Sequence, residues 1–237
     1  MTPSRPLPRS IEISETLIRE IASGLLPDGS RLPTERQMAA DYGVAVGTLR
    51  KALAVLEEKG LLERVQGSGN YVRRRANVQS VYSQFRLEKL GGGGLPTAQI
   101  VDLMNTTSPE SALAFGFSAT ALRIDRLRSL DGHPVALERI WLDGRYGASA
   151  DASQISESLY AFYRDHLGLV ISRVEDSVGV SNLPAWAKLP GINAGDASGY
   201  IERRAWSQSG EAAEYSQTWF DPARARFINR IEGLSVS

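Results

Sequence analysis

The chain has 237 residues, of which 42% are hydrophobic and 23% are charged, and its 27 basic and 27 acidic side chains leave no formal net charge. The absence of cysteine excludes disulfides, thiolate metal sites and cysteine nucleophiles, and two histidines are too few for a histidine-rich metal cluster. No window of the sequence is apolar enough to span a membrane or to act as a signal peptide, so we expect a cytoplasmic protein without metal or cofactor.

The first 75 residues predict three helices. Hydrophobic residues four positions apart indicate an amphipathic helix over residues 11–24: Ile13, Leu17 and Ile21. Thr34, with Gln37 three residues later, has the form of a capping box before a short second helix. A third helix follows almost at once, with apolar residues at three- and four-residue spacing: Leu49, Ala52, Leu53 and Leu56. Two helices joined by a tight glycine-containing turn are typical of a helix-turn-helix.

A hairpin is predicted directly after the third helix. The sequence LLERVQGSGNYV holds two β-prone runs around a Gly-Ser-Gly turn. This order of elements is that of a winged helix-turn-helix, in which the third helix enters the major groove of DNA and the wing lies beside the backbone or minor groove. We expect five residues to face duplex DNA, three in the helix and two in the wing: Thr48, Arg50, Lys51, Arg64 and Gly67. A solvated helix face is the alternative for these cations.

Residues 10–75 resemble the DNA-binding domain of the GntR family of bacterial transcription regulators. The resemblance is carried by Leu-Pro-x-Glu-Arg at residues 32–36, by the Arg-x-x-Leu-x-x-Leu spacing that starts at Arg50, and by the glycine-rich wing. It implies that Arg36, Thr48 and Arg50 face bases or phosphates, with Gly67 at the tip of the wing.

The start of the third helix departs from that family pattern. The family usually places Ser or Thr and then Arg where this chain has Ala45 and Val46. Losing a hydroxyl N-cap typically costs about 1 kcal/mol of helix stability, and the missing arginine removes a charged contact. We therefore expect fewer charged contacts to DNA than in the relatives, with bases contacted mainly by Arg36 and Arg50. A sensor that does not bind DNA is the alternative.

The remaining residues predict an α+β unit with a mostly antiparallel sheet. We place the domain boundaries at residues 1–75 and 83–237, with a linker at 76–82. The run Gly91 to Gly94 has the composition of a linker, but it precedes an alternating strand, so we interpret it as a mobile loop of the second domain.

Two hairpins and two helices are predicted inside the second domain. Asp131-Gly132 turns the first hairpin and Ser209-Gly210 turns the second. Between them lie a helix capped by Ser158 or Ser156, a strand, and a short helix at PAWAKL, residues 184–189.

Residues 80–232 resemble the UTRA effector-binding domain of the HutC branch of the GntR family. Four stretches carry the resemblance in sequence order: RLRSLDGHPVALER, SLY, LPGINAGDA and EYSQTWF. It implies a chorismate-lyase-like fold used for sensing and an effector pocket with eight lining residues: Arg126, Arg128, Glu138, Ser158, Glu214, Ser83, Tyr160 and Phe220.

Three of these residues also support an anion site on physical grounds. Arg126 and Arg128 are two apart in a strand, so they project from one face as a fork for a phosphate or carboxylate. Glu138, across the turn, is placed to accept from a hydroxyl or to balance the guanidinium charge. The alternative is an arginine–glutamate ladder on a solvated sheet face. Ser158 alone is more typical of a helix cap than of a ligand contact.

Together the two domains predict a DNA-binding transcriptional regulator. We expect a repressor that binds a palindromic operator as a homodimer and responds to a small anionic effector. The alternative is an enzyme that acts on a small carboxylic acid, with Arg126 and Arg128 as the clamp and Glu138 as the general acid. General acid–base catalysis usually uses histidine or a tuned carboxylate, and no histidine is expected near this site, so no catalytic residue is assigned.

Overall fold

The computed structural model describes residues 8–73, 85–148, 150, 155 and 158–230. The described residues form two compact units, one reaching to Pro96 and resuming at Arg226, the other spanning Thr97–Ala225. The predicted linker at 76–82 lies outside the described residues, so the domain boundaries stay a prediction. In the described part of the chain, no helix is both long and apolar enough to cross a membrane.

The amino-terminal unit contains the predicted winged helix-turn-helix. Three helices precede a two-stranded antiparallel hairpin: α1 (Arg9–Ala22), α2 (Glu35–Asp41), α3 (Val46–Glu58), β1 (Leu62–Val65) and β2 (Gly69–Val72). One apolar core includes Leu17 of α1, Leu53 of α3 and Val72 of the hairpin. Because the apolar stripes of the helices meet in this core, the polar side of α3 faces outward.

The starts of α2 and α3 differ in their caps. The Thr34 hydroxyl accepts a hydrogen bond from the Gln37 N–H at 3.3 Å, which confirms the predicted cap of α2. Ala45 is the N-cap of α3 and has no side-chain capping bond, as its sequence predicted. Val46, the first residue of α3, packs against the apolar core. The position where the family usually has arginine therefore contributes packing in this protein.

A glycine-rich turn belongs to the same unit. The run predicted as a mobile loop is a hydrogen-bonded turn after β3 (Leu87–Lys89). The Gly92 N–H donates to the Lys89 carbonyl at 2.8 Å, and the Lys89 N–H donates to the Gly93 carbonyl at 3.0 Å. Gly92, Gly93 and Gly94 have φ values of 89°, 63° and 107°, which side chains disfavour. The glycines are thus required by the shape of this turn.

The second unit is built on a six-stranded sheet with the order β4-β5-β6-β9-β8-β7. Its elements are β4 (Pro96–Thr107), α4 (Glu110–Phe115), β5 (Thr120–Leu130), β6 (His133–Asp143), α5 (Gly144–Gly147), α6 (Leu159–Leu167), β7 (Ile171–Asn182), β8 (Ala197–Ser207) and β9 (Ala212–Phe220). The β5–β6, β6–β9, β9–β8 and β8–β7 pairs are antiparallel, which confirms the predicted α+β class. A separate two-stranded sheet joins β3 to β10 (Ala225–Phe227).

The predicted hairpins are present, but one predicted helix is wrong. Asp131 and Gly132 have φ values of 49° and 77° and turn β5 into β6, and residues 208–211 turn β8 into β9. Residues 185 and 186 form a turn in place of the short helix predicted over 184–189, and Leu183, Ala187 and Leu189 are buried in the core around Trp219. Tertiary packing outweighs local helix propensity here. Helices α4 and α5 were not predicted.

One face of the sheet is apolar under α6. Phe162 and Tyr163 of α6 pack in a cluster with Ile124, Ile140 and Leu142 from the hairpin strands β5 and β6. Farther along the same strands, on the same face, the side chains become charged. This face of the sheet is therefore apolar beneath α6 and polar beyond the edge of α6.

Candidate functional site

The exposed start of α3 carries three of the predicted DNA-binding residues. Thr48 is half-buried in the first turn, whereas Arg50 and Lys51 are exposed. Their backbone is fixed by the core below, since Leu49 and Leu53 are fully buried. This arrangement presents two cations on a rigid helix.

Glu35 joins the helix to the wing. Its carboxylate accepts from Arg50 Nε at 2.7 Å and from Arg64 of β1 at 3.2 Å. The Glu35 side chain is 23% exposed, while those of Arg50 and Arg64 are 64% and 48% exposed. Both arginines are thus held in place yet remain accessible to DNA. This bridging role of Glu35 was not predicted, although the residue lies in the Leu-Pro-x-Glu-Arg motif that carries the resemblance.

The wing tip and α2 place the remaining two DNA-binding candidates on the surface. Gly67 lies in the turn between β1 and β2 with φ of 74°, so glycine suits the position. A hydrogen bond from the Ser68 N–H to the Val65 carbonyl, at 3.0 Å, closes that turn. Arg36 is exposed in the first turn of α2. All six predicted DNA-binding residues therefore lie in one unit.

Arg126, Arg128 and Glu138 come together on the polar part of the sheet. Glu138 Oε2 accepts from Arg126 Nη2 at 2.7 Å and from Arg126 Nε at 3.1 Å, and Arg128 Nε lies 3.9 Å away. The arginine side chains are 7% and 4% exposed and that of Glu138 is 12% exposed. The three residues do form a cross-strand ladder, but it is buried and so differs from the solvated ladder weighed as the alternative.

Glu214 of β9 lies on the same face, beside α6. It accepts hydrogen bonds from the Tyr160 hydroxyl at 3.1 Å and from the Tyr163 hydroxyl at 2.8 Å. Ser158 is buried and accepts from the Ala161 N–H at 3.3 Å as the N-cap of α6. The structure therefore brings Tyr160 and Glu214 together and gives Ser158 the capping role.

A third arginine, half-buried and not predicted from the sequence, lies across the sheet. Arg203 of β8 makes a two-pronged ion pair with Asp176 of β7, at 2.6 and 2.7 Å. Burial and the charge of Glu214 raise the pKa of Tyr160, and the positive charge of Arg203 acts against that rise, so Arg203 lies near the Tyr160 hydroxyl. No spacing pattern within β8 marks Arg203, because its same-face neighbours Ile201 and Ala205 are apolar, and the residue belongs to none of the stretches that carried the resemblance. Six residues are hereafter called the charged cluster: Arg126, Arg128, Glu138, Asp176, Arg203 and Glu214.

Two other effector-site candidates have different outcomes. Phe220 is buried on the face of the charged cluster, and its ring occupies the space over Gly199, where an added Cβ would lie only 2.1 Å from the ring. Glycine at position 199 is thus a requirement of the Phe220 ring. Ser83 lies outside the described residues.

The balance between burial and neighbouring charges differs between the two glutamates of the charged cluster. Burial raises the pKa of Glu138, but the charges of Arg126 and Arg128 and the Arg126 hydrogen bond outweigh it, so the pKa lies below its ordinary value. For Glu214, burial prevails over the Tyr163 hydrogen bond and the charges of Arg203 and Arg126, so the pKa is raised. Protonation of Glu214 would leave three guanidinium groups against two carboxylates, which favours an anion.

A winged helix with accessible arginines, followed by a sheet domain with buried arginines, defines a DNA-binding regulator that carries its own ligand-binding domain. Comparison with known proteins identifies the family. Residues 10–72 match the gntR family of bacterial regulatory proteins, and residues 93–226 match the UTRA domain. The chain belongs to the GntR family and carries a UTRA effector-binding domain.

Two relatives agree with that assignment, and one solved structure shares the fold. The chain is 50% identical to the HTH-type transcriptional regulator SmoD of Agrobacterium fabrum, over 95% of this chain and 97% of SmoD. It is 26% identical to the HTH-type transcriptional repressor NagR of Bacillus subtilis, over 97% of each chain. The crystal structure of YydK from Bacillus subtilis shares the fold, with a TM-score of 0.55 and 22% identity over 95% of this chain and all of the YydK chain.

These relatives are named as transcriptional regulators, so the chain is a transcriptional regulator and the enzyme alternative finds no support among them. Within the described residues, no group of histidine and carboxylate side chains could hold a metal ion.

Proposed function

We propose that this protein is a cytoplasmic repressor of the HutC branch whose operator affinity changes when a small anionic metabolite binds the charged cluster. The observation that carries the proposal is the burial of the cluster. Its three arginines have side chains only 4–15% exposed, and Glu214 is 3% exposed. Burying ions costs several kcal/mol each, and apolar residues of similar size would often be as stabilising. Ligand recognition explains such a cluster better than stability does.

Homodimer formation on a palindromic operator is part of the same proposal. A single winged helix offers few base contacts, here Arg36, Thr48, Arg50 and the wing, so two copies related by a two-fold axis are expected for useful affinity. The names of two relatives support repression: NagR, and the mannosyl-D-glycerate transport/metabolism system repressor MngR of Escherichia coli, which is 28% identical over 94% of this chain.

Binding of the effector would act through a differential free energy. The anion is expected to bind the arrangement of the protein that is competent for DNA binding with a different affinity from the other arrangement. The operator affinity then shifts by the difference between these two binding free energies, typically about 1–3 kcal/mol, or about 5- to 150-fold.

The test separates the two sites. Duplexes that bind the purified full chain are selected from a random pool, and their dissociation constants are measured by fluorescence anisotropy with and without sodium phosphate, glycerol 3-phosphate, glucose 6-phosphate or gluconate. Arg50→Gln is expected to weaken DNA binding, and Arg126→Gln is expected to retain DNA binding while losing the response to the anion. Failure to enrich any duplex, or an affinity unchanged by every anion, would refute the proposal.

The dimer is tested on the same duplexes. Analytical ultracentrifugation is expected to show two chains for each selected duplex, and a duplex cut to one half-site is expected to bind much more weakly. One chain bound to a duplex without two-fold symmetry would contradict this part.

A further inference from the structure

Building on the proposed function, we infer that Arg203 contacts the effector directly, from the side of the site opposite Arg126, and so determines which anions the protein senses. Arg126 and Arg128 would hold the anionic group. Arg203 and the Tyr160 hydroxyl would hold oxygen atoms at the other end of the ligand. The preferred effector is then an anion extended by hydroxyl or carbonyl oxygens, in contrast to a compact ion such as inorganic phosphate.

Strand register places Arg203 on the correct face. Arg203 is directly opposite Ser216 of β9, which is directly opposite Ile140 of β6. Residues two apart share a face, so Glu138 and Arg203 project to the same side. Two strand spacings separate β6 from β8, about 10 Å in all, and two long side chains can converge over that distance.

The part of β9 that lies between the arginines of β5 and Arg203 of β8 carries short side chains. Ser216 and Thr218 of β9 lie between the arginines of β5 and the arginine of β8, and both are buried. Their hydroxyl groups donate or accept hydrogen bonds. The charges of Arg126 and Arg203 both act to lower the pKa of Glu214 on the same strand, so both guanidinium groups lie near that carboxylate.

Asp176 fixes the direction in which Arg203 points. Its two oxygens accept from Nε and Nη2 of Arg203, which orients the planar guanidinium and aims its other edge away from Asp176. A donor held in advance loses less entropy when it binds a ligand. Asp176 is therefore a positioning residue, whereas Arg203 is the contact.

The neighbouring residue Arg204 shows what a surface pair on this strand looks like. Arg204 projects from the opposite face, pairs with Glu202 at 3.1 Å, and has a side chain 45% exposed. The Arg203 side chain is 15% exposed and its pair with Asp176 is two-pronged. A pair that served only to join β7 to β8 would not need to lie among Tyr160, Glu214 and Glu138.

The experiment compares matched variants of the full chain. Dissociation constants for inorganic phosphate, glycerol 3-phosphate, glucose 6-phosphate and gluconate are measured by calorimetry on the wild type, R126Q, R203Q and R204Q. R203Q is expected to weaken the tightest hydroxylated anion by about 10- to 100-fold, the value of one charge-assisted hydrogen bond, and to change phosphate binding by less than about twofold. R126Q is expected to weaken every anion, and R204Q none.

A second variant, R203K, distinguishes the loss of a ligand contact from a loss of folded protein. R203K retains the charge but not the planar fork, so it is expected to bind the hydroxylated anion more weakly than the wild type while it melts close to the wild type. Wild-type affinity for the hydroxylated anions in R203Q or R203K, or equal losses in R203Q and R204Q, would overturn the inference. If the wild type binds none of the four anions, the proposed function itself fails, which is a distinguishable result.

Discussion

Replacement of Arg19 in α1 offers a quantitative test of how the amino-terminal unit is held together. Arg19 is only 5% exposed, and its guanidinium donates to the carbonyl groups of Gly94, at 2.7 Å, and Leu87. It also lies 5.5 Å from the centre of the Phe85 ring. One side chain of the first helix thus supplies hydrogen bonds to both sides of the glycine-rich turn.

Arg19→Met keeps a long unbranched stem and removes both donors. Each hydrogen bond from a charged group contributes about 1.5–3 kcal/mol, and the two carbonyl groups lose their charged partner. Relief of the desolvation of the guanidinium offsets part of this loss, so we expect the free energy of unfolding to fall by about 2–4 kcal/mol.

The assay is urea unfolding followed by far-ultraviolet circular dichroism, which detects the helices. Arg9→Met is the matched control, because Arg9 lies on the same helix with a side chain 54% exposed and pairs with Glu12 at the surface. Its loss is expected to stay below about 0.5 kcal/mol. Equal losses in the two variants would show that the contacts of Arg19 do not stabilise the unit as argued.

Three further predictions concern the caps and charges. Ala45→Ser supplies the missing cap of α3 and is expected to raise the free energy of unfolding by about 1 kcal/mol in urea titrations; no gain would mean that the hydroxyl cannot reach the helix N–H groups. Glu35→Ala releases Arg50 and Arg64 and removes a negative charge, so we expect random duplex to bind more tightly at low salt. Because the two arginines are no longer held in position, the ratio of affinities for the selected and the random duplex, measured by anisotropy titrations, should fall. An unchanged ratio would contradict the positioning role of Glu35. The raised pKa of Glu214 means that the folded chain holds this proton more tightly than the unfolded chain, so its stabilising contribution is present at low pH and lost as pH rises through the folded pKa. The stability of Glu214→Gln relative to the wild type, measured by tryptophan fluorescence in urea, should therefore improve from about pH 4 to about pH 8; a constant difference would contradict this sign.

The winged helix was predictable because its signals are local. Thr34 caps α2 through a residue three positions away, and the apolar residues of α3 repeat along a single helix. The Asp131-Gly132 turn is likewise encoded by two adjacent residues. Interactions within a few positions of sequence can be found by spacing alone.

The features that were not predicted from the sequence depend on partners that are far away along the chain. The carboxylate of Glu35 joins residues 15 and 29 positions away, and the glycine-rich turn is held by Arg19, 75 positions before Gly94. Residues 184–189 have a helical composition, yet Ala187 and Leu189 pack in the core around Trp219. Composition and spacing carry no information about such partners.

The sequence by itself determined the order of elements, the cap of α2, the uncapped start of α3 and the arginine pair of β5, since each depends on neighbouring residues. Only the tertiary structure decided that Val46 packs against the core, that Glu35 bridges the helix and the wing, and that Arg203 lies on the same face as Arg126. The physical reason is strand order: β9 lies between β6 and β8 in space, so residues more than 70 positions apart share one surface.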